Sequence, residues 1–466
     1  MMVTFFEYFY SVFTIFLLVI FLKKSQTKHS LKDKIKLWCL FGFLYNLFSL
    51  SVIYTALPLV WFNPYIEFFG VMIVHIIISL ISSLAYILIG YTDWKTKNQK
   101  LYSLFFSLSF VGTEIIRVII LMLVFWGSGS VSGLNFTLGS LGMVLANTPL
   151  VELAYPYGIF SLTFFTVLIV SLFVLEKNNH YRFLGFTFII LIFLFIHFSD
   201  HSNQISKPIT VGVVSTNYPE TSFDEKTVGQ IFSQRREGLK KIIYDLSKNN
   251  LDIILLPEDT RFLSLKDTQE VRDLMQKFPN TYFFDGNTLK DGNNFFNAST
   301  VYQLKEKVYL WRGKNFLLPF DEYIPKLFRP LFLLIDRETF LDFEKNHTYT
   351  KNESHVSFIL PTGKFGTLIC SELFSFSSVS SLISQKPNII FGQSQLSIFH
   401  KRDWFTAYYL MTQKINGAAT KIPLIITANY MPTTVVNGYG KITDLEEAKN
   451  GVNIFYVDKY LVQKIK

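Results

Sequence analysis

Three short stretches carry residue types that could do acyl chemistry together. The first is Phe365-Gly366-Thr367-Leu368-Ile369-Cys370-Ser371-Glu372-Leu373, a β-type apolar run ending in a thiol, with a carboxylate two residues on. Cys370 is one of only two cysteines in 466 residues, so it belongs to no disulfide framework. A thiol at a strand end beside acidic residues can be a nucleophile. Taken alone, it is more often a packing residue. The second stretch, Ile253-Ile254-Leu255-Leu256-Pro257-Glu258, ends in a carboxylate. That places an acid at the carboxyl edge of a sheet, where α/β folds form their sites, although a lone acid there also reads as an exposed loop residue. The third begins at Lys314 and runs Lys314-Asn315-Phe316-Leu317-Leu318-Pro319-Phe320-Asp321-Glu322-Tyr323-Ile324-Pro325. A single lysine is normally solvated and means little by itself.

As a set, Glu258, Lys314 and Cys370 have a mechanism. Acyl transfer through a thiol needs a base for the thiol proton, the nucleophile itself, and a cation or donor for the oxyanion. A desolvated carboxylate shifts toward neutral pH, which suits a base, and an ammonium lowers a thiol pKa. The eight histidines are scattered and none lies near these three in sequence, which disfavours a Cys–His protease. There is no zinc-ligand spacing, no Gly-rich phosphate loop and no internal repeat. No metal site and no cofactor are expected.

What must position the three residues divides into two halves, 1–199 and 200–466. Half the residues are hydrophobic and 17% are aromatic, which points to a membrane fraction. Apolar runs recur at 3–22, 37–62, 66–90, 101–126, 157–175 and 183–198, each near the ~20 residues that a helix needs to cross hydrocarbon. The first lacks a basic lead and a small-residue cleavage site, so it does not read as a cleavable signal peptide. Lys and Arg cluster in the connections 23–36, 92–100 and 176–182, and are missing around Asn63 and Ser128. The positive-inside rule places the basic loops in the cytoplasm, and six crossings put the chain after Asp200 outside. The formal charge of +9 follows from these loops rather than from a nucleic-acid surface. One run is charged: Glu114 and Arg117 share a helix face and read either as an ion pair between helices or as part of the site. The broken stretch 128–156 is expected at the outer face.

In the second half, β-like runs at 209–214, 253–256, 282–284, 299–303, 356–360, 366–370, 389–391, 424–428 and 452–457 alternate with helical ones at 232–249 and 265–277. That alternation predicts a layered α/β domain.

The three stretches, in this order, resemble the carbon–nitrogen hydrolase (nitrilase) superfamily, whose triad is Glu–Lys–Cys. With the membrane half included, the chain resembles the apolipoprotein N-acyltransferase family. The segment 314–325 is similar to that family's Lys-x-x-Leu-Val-Pro-Phe-Gly-Glu-Tyr/Phe-x-Pro, with Asp321 in place of glycine. Leu256-Pro257-Glu258 resembles its Trp-Pro-Glu, and Ile369-Cys370-Ser371-Glu372 its Ile-Cys-Tyr-Glu. Thr113-Glu114 with Arg117 resembles a membrane motif of the family, and 149–160 the arm before a membrane helix. The chain departs at Ser371, at Gly392-Gln393-Ser394-Gln395, at Thr427-Ala428-Asn429-Tyr430, and in stopping without a carboxyl-terminal membrane helix.

The resemblance implies a multi-pass helical membrane domain followed by an extracytoplasmic αββα nitrilase-like sandwich. In it Glu258 is the base, Lys314 stabilises the oxyanion, Cys370 is the nucleophile, and Glu322 and Glu372 are supporting acids. The expected enzyme is an acyltransferase of the bacterial cytoplasmic (inner) membrane. It would move an acyl chain from a phospholipid, through a Cys thioester, to the terminal amine of a lipoprotein's diacylglyceryl-cysteine. Membrane lipids surround it, nucleic acid is not a partner, and a monomer is expected. The alternative is a membrane-anchored amidase or nitrilase-like hydrolase with water as acceptor.

Overall fold

A computed structural model of the chain describes residues 2–56, 64–96, 101–176, 178–199, 208–218, 225–247, 249–265, 268–292, 294–335, 337–346, 348–352, 357–400, 402–446, 451–458 and 461–465. The first half is helical: α1 (Met2–Gln26), α2 (Leu31–Ser49), α3 (Pro64–Ser83), α4 (Ile87–Thr96), α5 (Tyr102–Val124), α6 (Ile159–Val174) and α7 (Asn179–Phe198). Ser30 caps α2 by accepting a hydrogen bond from the Asp33 amide. Among the described residues, five helical stretches are long and apolar enough to cross a membrane: Met2–Gln26, Leu31–Ala56, Phe68–Thr96, Tyr102–Val124 and Asn179–Phe198. The expected crossing at 157–175 becomes α6, whose 16 residues rise about 24 Å, short of the ~30 Å hydrocarbon core. The tail of the 37–62 run, the connection around Asn63 and residues 97–100 lie outside the described residues.

At the amino end of α5, a buried acid ties four helices together. Asp93 takes hydrogen bonds from Lys34 (2.6 Å), Trp38 (2.9 Å), Tyr102 (2.6 Å) and the Ser25 hydroxyl. Nearer the other end of α5, Arg117 donates from Nε to Glu114 (2.8 Å) and from its terminal nitrogens to the Leu138 carbonyl (3.2 Å) and the Ser140 hydroxyl (2.9 Å). The charged pair therefore holds the broken stretch after α5. It does not reach the three candidate residues.

The second half is a two-sheet α/β domain. Its strands are β1 (Ile209–Ser215), β2 (Ile253–Leu255), β3 (Tyr282–Asp291), β4 (Asn294–Gln303), β5 (Val308–Gly313), β6 (Phe358–Leu360), β7 (Gly363–Ile369), β8 (Ile389–Gln395), β9 (Leu424–Asn429), β10 (Thr433–Val436), β11 (Ile442–Glu446), β12 (Gly451–Asp458) and β13 (Leu461–Ile465). One sheet has the order β13-β12-β1-β2-β3-β4-β5, the other β11-β10-β9-β8-β7-β6. Alternation explains the stacking. Ile209, Val211 and Val213 of β1, Ile253 and Leu255 of β2, Phe365 of β7, and Ile389 and Phe391 of β8 all point into one core between the sheets. There Phe284 meets Phe391 with ring centroids 5.0 Å apart.

Helices cover both outer faces: α8 (Glu225–Leu246) and α9 (Gln269–Met275) on the first sheet, α12 (Phe376–Gln385) and α13 (Asp403–Thr420) on the second, with α10 (Arg329–Ile335) and α11 (Arg337–Asn346) as a satellite. The four-layer order is helix, sheet, sheet, helix. The core behind α13 continues without a break into the membrane helices, joining Cys370, Tyr408 and Ala418 to Tyr10, Val118 and Phe160.

Most expected runs coincide with elements. The run at 366–370 differs at its end: β7 stops at Ile369, and Cys370 opens a 3-10 turn, Cys370–Phe374. The run at 356–360 is described from residue 357 and forms β6.

Candidate active site

Strand direction gathers the site. β1, β2 and β3 are mutually parallel, β4 runs back, and β5 returns in the direction of β2. Glu258 after β2 and Lys314 after β5 thus emerge at one edge, and Asn297, near the start of β4, begins there. In the other sheet β7, β8 and β9 are parallel. An isolated parallel bridge between Thr216 and Asn429 brings the carboxyl ends of β1 and β9 together, so both sheets present the same edge. The approach is close at Gly286, where a Cβ would come within 2.3 Å of the Glu258 Cα. Only glycine fits there.

Lys314 lies between two carboxylates, with Nζ 2.8 Å from Glu322 and 3.6 Å from Glu258. The Asn297 amide donates to both acids, at 2.6 Å to Glu258 and 2.8 Å to Glu322. Glu258 also accepts the Gln395 main-chain N–H at 2.6 Å, and Glu322 the Leu318 N–H at 2.7 Å. Cys370 stands in the left-handed region at φ 46°, a conformation that costs a non-glycine residue about 1–3 kcal/mol. Its Sγ faces the Gln395 carbonyl at 3.8 Å. One residue's backbone therefore touches the acid through its N–H and the sulfur through its C=O. Glu258, Lys314, Glu322 and Cys370 are all buried.

Burial raises the Glu258 pKa, and Glu322 adds to this; Lys314, Asn297 and the Gln395 N–H oppose it without cancelling it. Burial likewise holds the Cys370 thiol well above its ordinary value, with Glu258 adding to the rise and Lys314 opposing it. Burial lowers the Lys314 pKa, but Cys370, Glu322 and Glu258 outweigh it and hold the amine well above its ordinary value. The resting arrangement is a protonated thiol, a charged amine, and a carboxylate ready to take a proton at unusually high pH for its kind.

Glu372 has a different place. Its carboxylate is gripped by Arg312 through both terminal guanidinium nitrogens and accepts the Asn315 N–H (2.7 Å) and the Ile369 N–H (2.9 Å). It ties the end of β5 to the end of β7. Ser371 donates to the Phe316 carbonyl at 2.5 Å, fastening the same two segments.

The membrane half braces these loops. Tyr323 donates to the Phe125 carbonyl (2.9 Å) and the Lys326 N–H to the Trp126 carbonyl (2.8 Å), at the end of α5. Thr137 donates to the Phe374 carbonyl (2.7 Å) and Ser375 to Asn135 (2.8 Å), at the end of the turn that Cys370 opens.

Asn297, Arg312 and the main-chain role of Gln395 escaped the sequence reading. Asn297 lies in the exposed to half-buried first part of β4, among other polar residues, and left no signal of its own. Gln393, in the divergent segment, donates to the Leu256 carbonyl at 2.8 Å, and Asn429 accepts from Thr216 and from the Tyr218 N–H, both at 2.8 Å.

No protein-family model matches the chain, and no curated protein matches it. Solved structures similar to it include a glutamine-dependent NAD+ synthetase from Acinetobacter baumannii, with 13% identity, TM-score 0.40, and 56% of this chain and 48% of that one covered. A carbon–nitrogen hydrolase from Helicobacter pylori G27 shows 15% identity and TM-score 0.37 over 54% of this chain and 90% of its own. An amidase from Nesterenkonia sp. AN1, carrying an acrylamide adduct at its active-site cysteine, shows 8% identity and TM-score 0.37 over 53% and 92%. The chain thus spans about half of the synthetase.

Proposed function

We propose that this protein is a membrane-embedded acyltransferase working through a Cys370 thioester. The observation that carries the reading is the contact of the Glu258 carboxylate and the Cys370 sulfur with one residue, Gln395, beside the Lys314 ammonium.

Cys370 Sγ attacks the ester carbonyl carbon of a phospholipid while its proton passes to Glu258. The oxyanion forms against Lys314. Collapse breaks the ester C–O bond, Glu258 returns the proton to the leaving oxygen, and a lysophospholipid departs. The free amine of a lipoprotein's diacylglyceryl-cysteine then attacks the thioester carbonyl, gives a proton to Glu258, and leaves as an amide as the thiol reforms. Such a two-step route is ping-pong.

The bacterial cytoplasmic membrane suits both lipid substrates, with the α/β domain on the extracytoplasmic side. Two observations support that side. The stretch after α5 bonds directly to the α/β domain, and α7 returns to it, its His197 lying 3.0 Å from Glu152. The basic connections fall at the opposite helix ends.

Incubation with phospholipid should add an acyl mass to Cys370 that hydroxylamine removes, and a synthetic diacylglyceryl-cysteine peptide should then gain an amide. Label persisting in Cys370→Ala would overturn the nucleophile. Ammonia released from simple amides, with no acyl gain by the peptide, would favour the hydrolase.

A further inference from the structure

On the side of Glu258 facing α8 lies a small cleft. The carboxyl ends of β1, β2, β8 and β9 form its floor, and Arg235 and Leu239 of α8 form a wall. Glu258 and Gln395 line it, so it leads to the atoms that touch the Cys370 sulfur.

The lining is built and charged. The Arg235 guanidinium lies 5.3 Å over the Tyr218 ring, and the Tyr218 hydroxyl donates back to the Arg235 carbonyl at 3.2 Å. Asn429 fixes Tyr218 by accepting its N–H and donating to its carbonyl at 2.9 Å. Opposite, Asp259 and Arg261 pair at 2.6 Å. Both hold left-handed backbone, at φ 59° and 51°, which directs this turn beside Glu258. Arg235 thus supplies the guanidinium that lines the cleft, beside Asp259, whose charge Arg261 already pairs, and the Glu258 carboxylate. Burial lowers the Arg235 pKa, with Asp259 and Tyr218 opposing. An anion delivered there would restore what desolvation removes. Arg is suited to phosphate because its planar fork offers paired donors.

We propose that this cleft is an anion subsite, in which Arg235, braced on Tyr218, takes the phosphate of the acyl donor while the donor's ester reaches Cys370. It rests on the acyl-transfer reading for its occupant. The phosphodiester is the anionic group common to glycerophospholipids and lies a few bonds from the ester.

The test uses the full chain in detergent micelles, with melting curves confirming that each variant is folded. Thioester formation on Cys370 is followed by intact mass with phosphatidylglycerol and with a diacylglycerol of the same chains. The natural protein should prefer the phospholipid at least ten-fold. Arg235→Gln should cut that ratio ten-fold or more, and Arg235→Lys should recover part of it. An unchanged ratio overturns the subsite. In parallel, sn-glycerol 3-phosphate, inorganic phosphate and glycerol are tested as protectants of Cys370 against iodoacetamide. Protection by glycerol phosphate that Arg235→Gln abolishes supports a headgroup site, and equal protection by inorganic phosphate identifies a free-phosphate site instead. Protection without acylation from any lipid keeps the subsite and removes the acyl-transfer reading. Acylation with a charge-blind ratio and no protection does the reverse.

Discussion

Arg312 and Glu372 meet end to end, both terminal guanidinium nitrogens on both carboxylate oxygens, in a site closed to water. The pair joins the strand that presents Lys314 to the strand that presents Cys370, and its charges cancel locally. Glu372 therefore acts on the chemistry by fixing distances. Leaving one partner of a buried pair alone costs about 3–5 kcal/mol. Arg312→Met should lower the melting temperature strongly, and Glu372→Gln should do so less, since an amide retains one acceptor. Thermal melts in micelles check the order.

On the acyl-transfer reading, the raised Glu258 pKa should set the acid side of the activity profile. Glu258 must be ionised to accept the thiol proton, so the rate of Cys370 acylation should rise with pH through an inflection above the ordinary glutamate value of 4.5. Glu258→Gln should abolish acylation and the inflection with it. Lys314→Met removes the oxyanion partner and should cost roughly 10²–10³ in rate. The same burial that raises the glutamate raises the thiol, so iodoacetamide should alkylate Cys370 slowly at pH 7 and faster in strong alkali.

Asn297 steadies two like charges with one amide. Its bond lowers the Glu258 pKa, so Asn297→Ala should move the acid inflection to higher pH and reduce the plateau rate. A purely structural loss would lower the plateau and leave the inflection where it was.

Asp285 offers a pH test away from the chemistry. It is fully buried under the turn after Glu258, accepts the Leu263 N–H at 2.7 Å, and is pushed by burial up to about 7. A carboxyl whose folded pKa is raised stabilises the fold most below its unfolded value, and that contribution fades as pH rises through about 7. Asp285→Asn should therefore look progressively better relative to the natural protein in melts taken from pH 5 to pH 8.

Glu258 and Cys370 stood out in the sequence because each closes an apolar run at a strand end, whereas Lys314 opens the stretch 314–325 and gained meaning only beside the other two and through the family resemblance. The membrane half was legible through run length, although α6, at 16 residues, is shorter than the 157–175 run. Other parts left no such mark. β5 is exposed on both faces over Tyr309, Leu310 and Trp311, so it shows no clean alternation. α13 is buried on nearly every side and so has no polar stripe to reveal a helix. The contributions of Gln395 and of the Ile369 amide come from backbone, which residue identity does not encode. Glu372 was recognisable as an important acid, but its partner Arg312 lies 60 residues away in the chain.

The ties from Phe125, Trp126, Asn135 and Thr137 into the loops carrying Glu322 and following Cys370 make the α/β half a poor cassette. Excised at residue 200, it would keep its two sheets but lose the scaffold that holds those loops in register. Grafting it onto a foreign anchor would restore attachment to a bilayer without restoring turnover.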